Sequence, residues 1–201
     1  YNQKWAYSPE TILSATFFHS NQKECYRFYR EKLLVTGIKP NITHFKLAEL
    51  EKQGKLLAVV TQNIDGLHQA AGSKKVFELH GSVLRNYCTK CGAFYDEKYI
   101  ASHSDQDGLP LCEKCGSLIK PDVVLYEESL KDEVVSGAIK AIGSADLLII
   151  GGTSLTVYPA AGMIHYFRGE NIVLINRDPT PSDGIANLVL HESLGNVFSK
   201  L

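Results

Sequence analysis

The spacing of apolar positions along the chain changes near residue 55. Ahead of that point it is helical. Ser8-Pro9-Glu10 supplies a capping serine and a proline at the first helical position, which predicts a helix from residue 9 to about residue 20. A second helix is expected over residues 22–34, rich in aromatics at Tyr26, Phe28 and Tyr29. A third is expected over residues 42–52, where Phe45, Leu47 and Leu50 give a partial apolar face and Gly54 stands where helices end. Beyond residue 55 the apolar residues come in short unbroken runs, as in strands buried on both faces. Residues 56–60 form one such run, 76–79 a shorter one, and 147–150, 172–175 and 188–190 three more. A helix is predicted over 134–142 and another from about Pro159 to Gly169. Strands alternating with helices predict an α/β fold, a mostly parallel sheet with helices on both faces.

Two cysteine knuckles interrupt this pattern: Cys88-Thr89-Lys90-Cys91 and Cys112-Glu113-Lys114-Cys115, each followed by a glycine, Gly92 and Gly116. Four thiolates at this spacing can close a tetrahedral zinc site, and the glycines permit the tight turns that aim the sulfurs inward. Such a site has no open coordination position, so the metal holds structure and the chemistry lies elsewhere. Disulfides are the alternative. The fifth cysteine, Cys25, and the lack of a signal peptide in the sequence point instead to a reducing, cytoplasmic setting. Cys25 itself reads as a buried helix thiol.

Composition narrows the picture only a little. Hydrophobic residues make up 44%, charged ones 21%, and the net charge is −1, so no nucleic acid or anionic membrane partner is expected. The apolar stretch 145–167 is broken by Gly151, Gly152, Pro159 and Gly162 and is not a membrane span. Around the knuckles, Arg85, Lys90, Lys98, Lys114 and Lys120 are balanced by Asp96, Glu97, Asp105, Asp107 and Glu113. A zinc ribbon that gripped phosphates would be basic. The single methionine is Met163 and the chain begins at Tyr1, so residues are expected to have stood ahead of it.

Candidate chemistry gathers where strands end. Gly151-Gly152-Thr153-Ser154 follows the run 147–150 and precedes the Pro159 helix, an arrangement that lets backbone N–H groups approach a nucleotide. A plain strand-to-helix turn would look the same. Asn176-Arg177-Asp178 ends another run, either as a ligand contact or as a turn before Pro179. Thr61-Gln62-Asn63-Ile64-Asp65-Gly66 places polar side chains just past residues 56–60, more than a turn needs. His80, beside Glu78 and Gly81 at the end of 76–79, has the setting of a general base. His19, His103 and His191 have no such context, while His44 and His165 fall on predicted helices.

Taken together, Thr61-Gln62-Asn63-Ile64-Asp65, Glu78-Leu79-His80-Gly81, the two knuckles, Pro121-Asp122-Val123-Val124, Gly152-Thr153-Ser154-Leu155 and Asn176 resemble the sirtuins, in order and at similar spacing. Pro40-Asn41 with His44 resembles another segment of that family, and the likeness covers essentially the whole chain. The resemblance implies a Rossmann-like NAD-binding domain over residues 44–86 and 120–201, a zinc-binding module over 87–119 and a helical part of the small domain over 1–43. It implies NAD-dependent removal of acetyl groups from protein lysines, with nicotinamide and O-acetyl-ADP-ribose as products. NAD is the co-substrate, Zn2+ the structural metal, and acyl-lysine proteins or peptides the partners; the two substrates meet in a cleft between the domains. By the same resemblance, His80 is the base that deprotonates a ribose hydroxyl, with Asn63 also in the catalytic set. Gln62, Asn63, Ile64 and Asp65 hold the nicotinamide end of NAD, Gly152, Thr153 and Ser154 the phosphates and adenine ribose, and Asn176 the adenosine side. Val124 and Tyr126 line the acyl-lysine tunnel, and Val157 lies where the peptide is gripped as an added strand through its backbone.

Three departures from the family stand out. Sirtuins begin with a strand and a Gly-Ala-Gly-x-Ser loop leading to Pro-Asp-Phe-Arg; the sequence contains neither, and Tyr1 matches the residue just after. That part would supply the first strand, phosphate contacts and half of the nicotinamide pocket, so these 201 residues alone are expected to bind NAD poorly. The usual aromatic-Phe-Gly-Glu reads Leu125-Tyr126-Glu127-Glu128, with Glu127 in place of a glycine beside the peptide groove. Family members that favour acidic acyl groups carry a Tyr-x-x-Arg pair, whereas Tyr26 is followed by Tyr29 at that spacing and Arg30 one step late, which favours acetyl over succinyl. Mono-ADP-ribosyl transfer from NAD is an alternative activity, but Val124, Leu125 and Tyr126 suit an acyl-lysine stem better. The other alternative is a zinc-ribbon binding module with an inactive nucleotide domain, which the neutral ribbon disfavours.

Overall fold

The computed structural model describes residues 5–34 and 37–201, so the Tyr1 match lies outside the described residues. The strands are β1 (Val59–Thr61), β2 (Val76–Glu78), β3 (Gly81–Cys88), β4 (Phe94–Tyr95), β5 (Ile119–Val123), β6 (Leu147–Gly151), β7 (Asn171–Ile175) and β8 (Leu188–Leu190). The chain divides into two compact units: residues 1–38, 63–66 and 80–130 form the first, and residues 39–62, 67–79 and 131–201 the second.

In the second unit every described strand pair is parallel. β1 pairs with β2, and β6, β7 and β8 form a three-stranded sheet in the register Gly151 to Ile175 to Leu190. The apolar runs at 147–150, 172–175 and 188–190 become strands as expected, but they are not buried on both faces throughout: Leu174 and Ile175 are almost wholly buried, whereas Leu147, Ile149 and Leu188 are exposed. The first run pairs only from Val59 onward, reaching Thr61. The helix Ile42–Lys52 matches its predicted bounds. Asn41 caps it, its side chain accepting from the Thr43 and His44 N–H groups, while His44 Nδ1 accepts from the Asn41 N–H. Its buried residues are Thr43 and His44, while Phe45, placed on the apolar face by sequence, is half exposed. The helix predicted over 134–142 runs a turn longer, Asp132–Ser144, with two acidic residues in its first turn. The Pro159 helix is a tighter 3₁₀ turn, Ala160–Tyr166, that stops short of Gly169.

The first unit is built around antiparallel pairing. β3 lies between β4 and β5, and this pairing carries both pairs of knuckle cysteines toward each other. The bounds that the resemblance implies for the zinc-binding module, 87–119, cut β3 and β5, whose pairing runs on from the knuckles to Gly81 and Val123. At Gly81 the pairing of the two strands leaves no room for a side chain: its φ is +75°, and a Cβ there would lie 1.8 Å from the Asp122 carbonyl oxygen. That oxygen is backbone and cannot yield. Gly81→Ala is therefore expected to cost about 3 kcal/mol, from left-handed strain plus overpacking. Urea unfolding checks this; a loss under about 1 kcal/mol would mean the strands part freely there.

One predicted helix is broken. Residues 9–20 form two short helices, Pro9–Ile12 and Ala15–Ser20, capped by Ser8 and Ser14 in turn. The break comes from outside the segment. The Tyr126 N–H donates to the Leu13 carbonyl at 2.9 Å and the Ala15 N–H to the Tyr126 carbonyl at 3.0 Å, a strand-like bridge that requires extended backbone at Ser14. The second helix is regular over Gln22–Phe28 and widens to a π turn at Tyr29–Leu33. Two apolar clusters result. Ile12, Phe17, Phe18, Cys25, Tyr26 and Phe28 form one, and Tyr29, Val83, Ile100 and Ile119 with Cys88 and Cys112 form the other. The Cys25 thiol donates to the Ile12 carbonyl, and burial pushes its pKa up to about 11, so it is a packing residue rather than a nucleophile.

Candidate active site and zinc centre

The four knuckle sulfurs lie within 4.8 Å of one another, with 3.4 Å between Cys88 and Cys115 and 3.5 Å between Cys91 and Cys112. These are free thiols, not disulfides. Sulfurs bound tetrahedrally at about 2.3 Å from zinc stand roughly 3.8 Å apart, so the cluster has the right size and donor set for the metal. Its surroundings favour the thiolate at Cys112 and Cys115. Tyr95 donates its hydroxyl to Cys112 Sγ at 3.2 Å, the first reason that thiol is brought down to about 6, and Cys115 is lowered by the backbone and then the side chain of Ser117. Cys91 moves the other way, to about 11: its hydrogen bond at the Ala93 backbone lowers it, but the neighbouring sulfurs and burial outweigh that. The backbone N–H groups of Lys90 and Cys91 point at Cys88 Sγ, and Gly92 and Gly116 take the left-handed conformations that close the knuckles.

In the same unit, three proposed site segments are drawn together by backbone hydrogen bonds. The Ile64 carbonyl accepts from the Val83 N–H at 3.0 Å, which anchors Asn63, Ile64 and Asp65 beside β3. The His80 carbonyl accepts from the Val124 N–H at 3.0 Å, so the proposed base and the proposed tunnel residue are joined directly. Tyr126 follows two residues later with its side chain half exposed.

The second unit carries the other set. Gln62 follows β1, whose last carbonyl, on Thr61, accepts from the Leu79 N–H. At the carboxyl ends of the three-stranded sheet, Gly152 follows β6, Asn176 follows β7 and His191 follows β8, side by side in register. This edge of a parallel sheet is where open α/β folds bind ligands. Gly152 has φ +64°, and Gly151 allows Leu194 to approach: a Cβ would meet its Cδ2 at 2.5 Å. Thr153 Oγ1 accepts from the Leu155 N–H, and Ser154 and Thr156 share a hydroxyl hydrogen bond of 2.8 Å, which shapes the loop. Asn176 donates to the Asp178 carbonyl and Val157 is partly exposed. His191, passed over in the sequence, sits at this edge with Nδ1 3.3 Å from the Asn176 carbonyl and Nε2 3.4 Å from Asp183. Its position directly after the apolar run 188–190 is the signal that could have found it.

Parallel strands ending in a glycine turn, together with a unit organised by four thiolates, define an α/β nucleotide-binding protein with a structural zinc site. The chain belongs to the Sir2 family, whose model matches residues 1–159. An "NAD-dependent protein deacetylase" of Clostridium perfringens is 58% identical over 196 residues, which cover 97% of this chain and 79% of that protein. Among solved structures, Sir2Tm bound to a propionylated peptide superposes with a TM-score of 0.90 at 38% identity, covering 98% of this chain and 84% of that one. Sir2 in complex with an inhibitor, 2'-O-acetyl-ADP-ribose and deacetylated p53 peptide gives 0.87 at 38% identity, covering 95% and 83%. No helix among the described residues is long and apolar enough to cross a membrane.

Proposed function

We propose that this chain removes acetyl groups from protein lysines with NAD as co-substrate, releasing nicotinamide and forming O-acetyl-ADP-ribose. The observation that carries it is the 58% identity, along almost the whole chain, to a protein named for that activity. Bound NAD supplies a ribose carbon activated by its nicotinamide leaving group. Gln62, Asn63, Ile64 and Asp65 orient the carboxamide of that group, and Gly152, Thr153, Ser154 and Asn176 hold the phosphates and adenosine. Val124, Tyr126 and Val157 position the acyl-lysine peptide, and His80 takes a proton from a ribose hydroxyl so that this oxygen can receive the acetyl group. Cys88, Cys91, Cys112 and Cys115 hold zinc. The domain reading made from the sequence, with a Rossmann-like part over 44–86 and 120–201, belongs to the same proposal. So does a cytoplasmic location, supported by five free cysteines.

Acetyl is the favoured acyl group, and the fate of Arg30 supports this. Its guanidinium donates to the carbonyls of Ile100 at 2.9 Å, Gly108 at 2.6 Å and His103 at 3.5 Å. The Tyr26 hydroxyl is spent on the Ile119 carbonyl, and the Tyr29 hydroxyl faces Val83 and Asn86. An acidic acyl group would find these donors already engaged. Mass spectrometry of reactions with NAD and an acetyl-lysine peptide is expected to show nicotinamide and O-acetyl-ADP-ribose together. A succinyl-lysine peptide should react at least about tenfold more slowly, the scale set by one missing charged contact. The reactions are run on these 201 residues and on the same chain preceded by a sirtuin Gly-Ala-Gly-x-Ser segment. ADP-ribose attached to protein, with no free O-acetyl-ADP-ribose from either, would replace the proposal with ADP-ribosyl transfer.

A further inference from the structure

The segment after Val124 carries two adjacent carboxylates that reach in opposite directions. Glu128 closes its own turn: its Oε2 accepts from the Leu125 N–H at 2.9 Å and pairs with Lys120 at 3.1 Å. Glu127 reaches across 111 residues of sequence. Its Oε2 accepts from the Thr16 N–H at 2.8 Å and from the Thr16 hydroxyl at 2.7 Å. Thr16 is the second residue of the helix Ala15–Ser20, and the capping hydroxyl of Ser14 already serves the Phe17 N–H. The Thr16 N–H is therefore one of the donors a helix start leaves unpaired, and Glu127 supplies its acceptor.

Glu127 adopts φ +76°, one of two non-glycine residues among those described to do so. That region is unfavourable for a residue with a Cβ and is normally left to glycine, the residue sirtuins usually carry here. A glutamate persists in such a conformation only where surrounding contacts determine it. Here its neighbour Tyr126 is held by Leu13 and Ala15 through both backbone groups, and its own carboxylate by Thr16.

We propose that the Glu127–Thr16 contact is a latch that fixes the Val124–Tyr126 stretch and so sets the affinity for the acyl-lysine peptide, with Glu127 as a positioning residue. It rests on the reading of Val124 and Tyr126 as acyl-lysine contacts. The carboxyl of Glu127 is held below its ordinary value, first by the Thr16 hydroxyl and then by the Thr16 N–H. With a depressed value in the fold, the latch is engaged at neutral pH and released only as pH falls through the carboxylate range.

The test is steady-state kinetics with an acetyl-lysine peptide and NAD, beside amide hydrogen exchange at Thr16. Glu127→Ala and Thr16→Val are each expected to raise the KM for peptide about three- to tenfold, the scale of a lost charge-assisted hydrogen bond, with kcat and the KM for NAD within about twofold. The double variant should be no worse than Glu127→Ala alone, because Thr16→Val removes only the hydroxyl half of the contact that Glu127→Ala removes entirely. Thr16→Ser keeps the hydroxyl and should restore the parent value. Exchange at the Thr16 amide should quicken in Glu127→Ala. An unchanged peptide KM, effects that multiply in the double variant, or unchanged exchange would each overturn the latch. A parent enzyme inactive on acetyl-lysine, with Thr16 exchange still quickened by Glu127→Ala, would leave the contact in place while removing the reading it serves.

Discussion

His80→Ala is expected to lower formation of O-acetyl-ADP-ribose by about two to four orders of magnitude, the range of a positioned general base. Zinc content and melting temperature should stay close to the parent's. The hydrogen bond from the Val124 N–H to the His80 carbonyl is made by backbone and survives the substitution. Strand pairing at this point depends on Gly81, which the substitution leaves intact. In the proposed reaction the proton transfer follows departure of nicotinamide. The variant should therefore still release a single equivalent of nicotinamide per site in a rapid-mixing experiment, without the acetylated product. Turnover within about threefold of the parent would sink His80 as the base and direct attention to the carboxylate of Asp65.

The second large effect is loss of the metal. Zinc binding contributes roughly 10–16 kcal/mol in small zinc-finger peptides, while a whole domain retains only about 5–15 kcal/mol of net stability. The two are comparable, so a first unit stripped of zinc should not keep its packing. Cys88 and Cys112 are members of the same apolar cluster as Tyr29, Val83 and Ile119, so the damage cannot stay within the knuckles. Trp5, the single tryptophan, lies in this unit with its ring edge-on to Phe28 at 5.0 Å, and reports on it directly. A chelator, or Cys112→Ala, is expected to shift Trp5 fluorescence toward the value in water as about one zinc per chain is released. Metal loss with an unchanged Trp5 signal would show that the helices and the ribbon fold independently.

Much of the site was legible because its signals are local. Four cysteines in two knuckles describe a metal site by spacing alone, and the structure brings their sulfurs within 4.8 Å. Ser8 and Pro9 announce a helix start through a cap that needs no partner beyond the next turn. The runs ending at Gly151, Ile175 and Leu190 mark the parallel strands, but burial on both faces is reached only around Ile150, Leu174 and Ile175, while Leu147, Ile149 and Leu188 are exposed. The polar residues just past those runs then fall at the carboxyl edge without further information.

What stayed hidden depends on pairing between distant residues. β3 contains no apolar run: its fully buried residues include Ser82 and Asn86, and Asn86 is satisfied by the carbonyls of Val83 and Tyr95. His191 follows a predicted strand, but its contacts with the Asn176 carbonyl and Asp183 come from residues 15 and 8 positions away that only the fold brings near. The sequence by itself determined the cap at Ser8, the positions of the parallel strands and the metal ligands, because each is set by residues a few positions apart. Only the tertiary structure decided the break at Ser14, the close approach at Gly81 and the left-handed backbone of Glu127. In each of these a partner far along the chain sets the arrangement: at Ser14 and Glu127 its hydrogen bonds outweigh the local preference, and at Gly81 it leaves space for glycine alone.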